Sequence, residues 1–162
     1  VRKLSYERRF LHYVWKYQLF EKEGLQSLEN EVIHILKPGI HNRNAGPDFL
    51  NAKIEINHQT WVGNVEIHLK SSDWYAHHHE NDVDYDATIL HVVYEYDVEV
   101  YLKGNTVLPT LVLKDLIASS LLSNYLQLSN VTTNWISCGA QVNTLDSFFF
   151  FPIGKSACFL SV

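Results

Sequence analysis

Read at about 100° per residue, the segment from Ser5 to Phe20 carries the pattern of an amphipathic helix. Phe10, Leu11, Val14 and Tyr17 define its apolar stripe, and Arg9, His12 and Lys16 line the opposite side. Ser5 is placed to cap its start and Gly24 to stop it. Glu7 and Gln18 fall inside the apolar arc. A carboxylate there is costly to bury unless it is paired or bound to a metal. The alternative is a Glu7 near the first turn that reaches solvent and favours the helix dipole.

After this helix the period changes from 3.6 to 2. A short strand is predicted at Val32 to Leu36, followed by a turn-rich stretch from Lys37 to Pro47. Ala52 to Ile56 and Trp61 to Lys70 flank the polar turn Asn57-His58-Gln59 and read as an antiparallel hairpin. Ser71 to Asp86 is a polar connection rich in His and Asp, with short turns or one helix at most. Ala87 to Tyr96 is nearly continuous in apolar residues, as expected of a central strand covered on both faces. Glu99 to Leu102 and Val107 to Leu113 suggest another hairpin around Lys103-Gly104-Asn105. Asp115 is placed to cap a helix running through Ile117, Leu121, Leu122 and Tyr125 to about Leu128. The pattern predicts a single α/β domain over residues 1–146, with a central mixed β-sheet flanked by helices. Phe148 to Phe151 fit neither period, so 147–162 is expected to be an atypical, truncated or frame-broken tail.

Composition narrows the picture. The 162 residues are 46% hydrophobic and 13% aromatic, ample for a core, and no stretch approaches the ~18 apolar residues of a membrane span. The N-terminus lacks the continuous apolar run of a signal peptide. Cys138 and Cys158 make no disulfide framework, which points to a reducing, cytoplasmic location. The chain opens on Val1 and contains no methionine, as a fragment or an unusual start would. A net charge of -5 argues against a bulk nucleic-acid coat. Five of the 13 basic residues nevertheless fall in the first sixteen positions, giving one helix that could approach a phosphate backbone.

Chemistry enters with strand alternation. Asn64, Glu66, His68 and Lys70 share one face, and Val65, Ile67 and Leu69 share the other, which is the core. Asp48 stands before the neighbouring strand, after Gly46-Pro47, whose fixed turn limits where its carboxylate points. Pairing of the two strands would let Asp48 and Glu66 converge. Two convergent carboxylates suit a hard ion such as Mg²⁺ or Mn²⁺, which stabilises charge on a phosphoryl oxygen. A neighbouring Lys or His would then position water. The alternative is an exposed Glu66 and Lys70 ladder, with Asp48 capping a turn. A second group, His77, His79 and Asp82 with His91, has enough ligands for Zn²⁺. It could equally be a polar loop and a core histidine. Trp74 and Tyr75 read as packing anchors.

Several unusual strings occur in order: His41-Asn42, Asn44-Ala45-Gly46-Pro47-Asp48-Phe49, Gly63-Asn64-Val65-Glu66-Ile67-His68, Ser71-Ser72-Asp73-Trp74, His77-x-His79-x-x-Asp82-x-x-Tyr85 and Ile89-Leu90-His91-Val92-Val93. With the Tyr13-x-Trp15-Lys16 helix, they make the chain resemble the bacterial family called domain of unknown function 2851 over most of residues 5 to 140. That name implies no activity. More distantly, Pro47-Asp48 and Glu66-x-His68 are similar to the PD-(D/E)xK nuclease superfamily. This second resemblance implies a restriction-endonuclease-like core of a helix, a three-stranded meander, a helix and a further strand. It also implies Asp48 and Glu66 as metal acids, and Glu7 as the acid of the first helix. His68 stands where that superfamily has lysine, and Lys70 lies two residues on, on the same face.

The leading expectation is therefore a Mg²⁺- or Mn²⁺-dependent nuclease acting on DNA or RNA, with Asp48, Glu66, His68 and Lys70 catalytic. Two others stand beside it. One is a Zn²⁺-dependent hydrolase using His77, His79, Asp82 and His91. The other is a catalytically inactive nucleic-acid-binding domain.

Overall fold

The computed structural model describes residues 2–130, with the side chains of residues 8–125 other than 122. Helix α1 (Arg2–Tyr17) begins before Ser5, so Ser5 is not its cap. It ends before Gly24, because Gln18 takes the left-handed conformation (φ 54°). The Gln18 N–H then donates to the Trp15 carbonyl at 3.1 Å and the Leu19 N–H to the Val14 carbonyl at 2.9 Å. That pair of bonds satisfies carbonyls that a helix end leaves open. Phe10, Leu11, Val14 and Trp15 are buried, whereas Tyr17, expected in the stripe, is 55% exposed.

Strands β1 (Ile33–Lys37) and β2 (Ile40–His41) both pair antiparallel with β3 (Phe49–Ile56). β3 turns into β4 (Gln59–Lys70) through Asn57-His58, both at positive φ (48° and 66°), the hairpin turn whose twist matches its strands. The β3–β4 ladder slips by one residue between Phe49 and Ala52. Beyond that bulge Phe49 pairs with Val65, so the next step of the register sets Asp48 opposite Glu66.

The connection after β4 holds a short helix, α2 (Asp73–Ala76), and two 3-10 turns at His79–Asn81 and Val83–Tyr85. The chain then enters β5 (Thr88–Glu95), parallel to β4, with Glu66 beside His91 and His68 beside Val93. The hairpin expected from Glu99 to Leu113 divides. β6 (Tyr101–Leu102) pairs with β7 (Thr106–Val107), while β8 (Thr110–Val112) leaves to join the main sheet parallel to β5. Pro109, which has no N–H to give a ladder, lies at the division. Helix α3 (Ser119–Asn130) starts after Asp115 rather than at it, because the Leu116 carbonyl accepts from Glu21 at 3.0 Å. The result is an α/β domain around a mixed sheet of order β1-β3-β4-β5-β8.

One face of this sheet packs Phe49, Val65, Ile67, Leu90 and Val92 against the apolar stripe of α1. The other face is covered too. A second cluster of Trp74, Tyr85, Val100 and Leu108 forms between the β4–β5 connection and the β6–β7 segment. Glu66, His68 and His91 are therefore 0%, 1% and 0% exposed, not part of a half-solvated ladder. The Glu7 side chain, Cys138, Cys158, Phe148 to Phe151 and the boundary at residue 146 lie outside the described residues. Among the described residues, no helix is long and apolar enough to cross a membrane.

Candidate active site

Asp48 is aimed by the loop before it. The Asn42 side-chain amide donates to the Ala45 and Pro47 carbonyls, each at 3.0 Å, and its oxygen accepts from the Asn44 N–H at 2.9 Å. Gly46 turns within that loop at φ 94°. The Asp48 Oδ2 then accepts from the Ile67 N–H at 3.1 Å, while the Asp48 N–H donates to Glu66 Oε2 at 3.0 Å. The two acids thus hold one another across the β3–β4 ladder.

Two residues of α1 complete this half of the site, and neither was singled out from the sequence. Arg8 Nη2 lies 3.1 Å from both Asp48 oxygens and 3.1 Å from Glu66 Oε1. His12 Nε2 lies 3.1 Å from Asp48 Oδ2. Their i,i+4 spacing puts them on one side of the helix, beside the apolar stripe. That spacing was the available signal, but a basic helix face reads first as solvated. Burial tends to raise the Asp48 pKa, yet the hydrogen bond and charge of His12, with Arg8, hold it below the usual carboxylate range. Glu66 goes the other way. Burial, then the Asp48 charge, push it up to about 8. The Arg8 guanidinium is held above its ordinary value by Asp48 and Glu66, against the opposing effect of its own burial.

Of the histidines expected as a separate site, His79 reaches the same acid, and His77 and His91 meet His68 beside it. His68 Nε2 lies 3.5 Å and His79 Nε2 3.6 Å from Glu66 Oε1. His68 Nε2 is also 3.0 Å from His77 Nδ1, and its Nδ1 is 2.9 Å from His91 Nε2. His78, between His77 and His79, is in the left-handed region (φ 61°), and its side chain is 81% exposed, while His77, itself an exposed residue, and the half-buried His79 turn a ring nitrogen toward the cluster. Burial, with His77 adding to it, lowers the His79 pKa to about 4. Burial, with His79, lowers that of His91 to about 3. Burial also drives His68 far below the ordinary histidine range. All three rings are neutral near pH 7, the form that ligates metals.

The remaining predicted residues are placed elsewhere. Lys70 ends the Glu66, His68, Lys70 row at the exposed end of β4, where its charge acts on Glu95 and Asp97. Asp82 accepts from the Asp84 N–H at 3.0 Å and so caps a 3-10 turn, while also lining the cleft over Asp48. His91 stands behind His68 rather than beside His79. An open cleft of about 680 Å³, lined by Arg8, Arg9, His12, Gly46, Asp48, Asp82 and Tyr85, leads to the carboxylates. Of the two acids Asp48 lines this cleft with Arg8, while Glu66 and the row of imidazoles lie outside its lining.

Comparison with curated proteins and with solved structures finds no match in either. A family model described as "Protein of unknown function (DUF2851)" matches residues 8–159, nearly the whole chain, and the protein belongs to that family.

Proposed function

We propose that this protein is a divalent-metal-dependent phosphodiesterase acting on DNA or RNA, with its acids arranged as in PD-(D/E)xK nucleases. The observation that carries this reading is the convergence of Asp48 and Glu66 on a single nitrogen, Arg8 Nη2, 3.1 Å from both. The strand order adds support. β1, β3 and β4 form an antiparallel meander of the kind the resemblance implies and β5 runs parallel to β4, while the helix it implies before that further strand is here only the four-residue α2.

Two carboxylates, Glu66 buried and Asp48 half-buried, that already share one cation are a donor set suited to a hard divalent ion. Asp48 and Glu66 would hold Mg²⁺ or Mn²⁺, which when bound offsets charge developing on a phosphoryl oxygen. The chain's own residues supply the rest. Arg8 and Arg9 line the cleft and present guanidinium groups to a phosphate, for which their planar fork is suited. His12, oriented by Asp48, is positioned to take or return a proton at the cleft wall. In this reading His12 fills the role that a lysine has in the superfamily, since His68 is engaged with the other histidines and Lys70 is remote.

The test is cleavage of end-labelled DNA and RNA with Mn²⁺ by the wild-type chain, Asp48→Asn and Glu66→Gln. The expected result is cleavage by the wild type, lost in both variants with circular dichroism unchanged. Cleavage that persists in both would remove these acids from the chemistry. Nucleic-acid binding without turnover would instead identify an inactive binding domain.

A further inference from the structure

We propose that His68, His77 and His79, together with Glu66, hold one transition-metal ion of the zinc class at the junction of β4 and the connection that follows it. This site shares Glu66 with the reading above but does not depend on which bond the protein cleaves.

Distances between the ligand atoms carry the argument. A tetrahedral site with metal–nitrogen bonds of about 2.0–2.1 Å has edges of about 3.4 Å. The pairs His68 Nε2 to His77 Nδ1, His68 Nε2 to Glu66 Oε1 and His79 Nε2 to Glu66 Oε1 measure 3.0, 3.5 and 3.6 Å. The three histidine ligand atoms all lie within 4.8 Å of one another. Three edges of the cage thus already stand within about 0.4 Å of that length.

An independent sign is His79 Nε2. It is buried without a hydrogen-bond partner, on a side chain only 10% exposed, and it faces Glu66. A buried polar atom left unpaired costs about 1–3 kcal/mol, which a ligand at this point would offset. The rings are also pre-positioned. His79 stacks on Tyr85 with centroids 3.7 Å apart, and the left-handed turn at His78 directs His77 and His79 to the same side. His91 accepts from, or donates to, His68 Nδ1 at 2.9 Å. With the proton on His68 Nδ1, the Nε2 lone pair faces the cage, the arrangement by which outer groups fix a ligating imidazole. His91 is thus a positioning residue. His77 lies on the exposed side and gives an ion its way in. Three imidazoles and one carboxylate select borderline ions such as Zn²⁺ or Co²⁺ over Mg²⁺, which takes oxygen ligands.

The experiment uses the full chain without a histidine tag, stripped with a chelator and dialysed against Zn²⁺ or Co²⁺. The expected result is one ion per chain, with the visible ligand-field band of tetrahedral Co²⁺, undisturbed by excess Mg²⁺. His77→Ala, at an exposed position, and His79→Ala should each weaken binding by at least about tenfold with circular dichroism unchanged. Asp48→Asn should leave the ion in place. Absence of stoichiometric Co²⁺, wild-type affinity in both histidine variants, or loss of the ion in Asp48→Asn but not in His77→Ala would each overturn the proposal. Nuclease assays enter neither arm, so failure of the phosphodiesterase reading is read separately.

Discussion

Arg8 and Asp48 lie 40 residues apart in sequence, and one guanidinium nitrogen joins them at 3.1 Å from each carboxylate oxygen. The same nitrogen reaches Glu66, so a partly exposed arginine compensates two acids that are nearly inaccessible. Arg8→Met should therefore destabilise the fold by about 1–3 kcal/mol, between the values for exposed and buried ion pairs. If the acids hold a divalent ion, Mn²⁺ should restore much of that loss by binding the folded state alone. Urea unfolding with and without Mn²⁺ checks both, and an unchanged midpoint without metal would show that the arginine is dispensable.

The titrating groups set a pH profile with two arms. His79 and His91, at about 4 and about 3 against an ordinary 6.5, favour the neutral form in the fold. Their contribution is complete above pH 6.5 and is lost as pH falls through those folded values. Glu66, at about 8 against 4.5, acts in the opposite sense. Its contribution is present below pH 4.5 and is lost as pH rises through 8. Stability in chelator should thus peak a little below about pH 7. Melting temperatures measured across both arms check this, and Glu66→Gln should flatten the alkaline arm. A wild-type curve that keeps rising above pH 8 would contradict the assignment.

Gly63 sits where β4 meets β5. A Cβ there would lie 2.4 Å from Ile89 Cγ2 and 2.5 Å from the Ala87 carbonyl oxygen. The backbone oxygen cannot turn away as a side chain can. Gly63→Ala should cost about 1–3 kcal/mol from overpacking, lowering the melting temperature by roughly 2–4 °C per kcal/mol for a chain of this size. Calorimetry is the check, and a melting point within error of wild type would mean that the two strands separate freely.

His78 tests the turn that aims its neighbours. At φ 61°, His78→Gly should be neutral or slightly stabilising, whereas His78→Val should cost about 1–2 kcal/mol. The valine variant should also weaken Co²⁺ binding, although His78 itself faces solvent. Equal stability for the two variants would show that the left-handed turn is not needed.

Much of the sheet was legible in the sequence, and the reasons are local. Alternation and the polar Asn57-His58 turn defined the β3–β4 hairpin, and the continuous apolar run of β5 marked a strand covered on both faces. The same alternation placed Glu66 and His68 together, opposite the Val65 and Ile67 core. What it did not reveal was the cover over Glu66 and His68. That cover comes from Trp74, Tyr85, Val100 and Leu108, residues of a non-periodic connection and a short hairpin, brought in by long-range packing. For the same reason two separate groups of candidate ligands turned out to share Glu66. Helix ends were also obscured, since Gln18 adopts a conformation that its residue type does not advertise.

The parallel pairing of β4 with β5 bears on the order of folding. Antiparallel β3 and β4 need only a two-residue turn, so their contact is local and fast to form. Parallel β4 and β5 require the whole stretch from Ser71 to Ala87 to cross back before the first bond between them is made. Until then Glu66 and His68 stay in water, where their polarity costs nothing. In the native state the crossover supplies His77 and His79, and Val100 and Leu108 complete the cover with Trp74 and Tyr85. Closing the site therefore draws on stretches of chain that lie far apart in sequence.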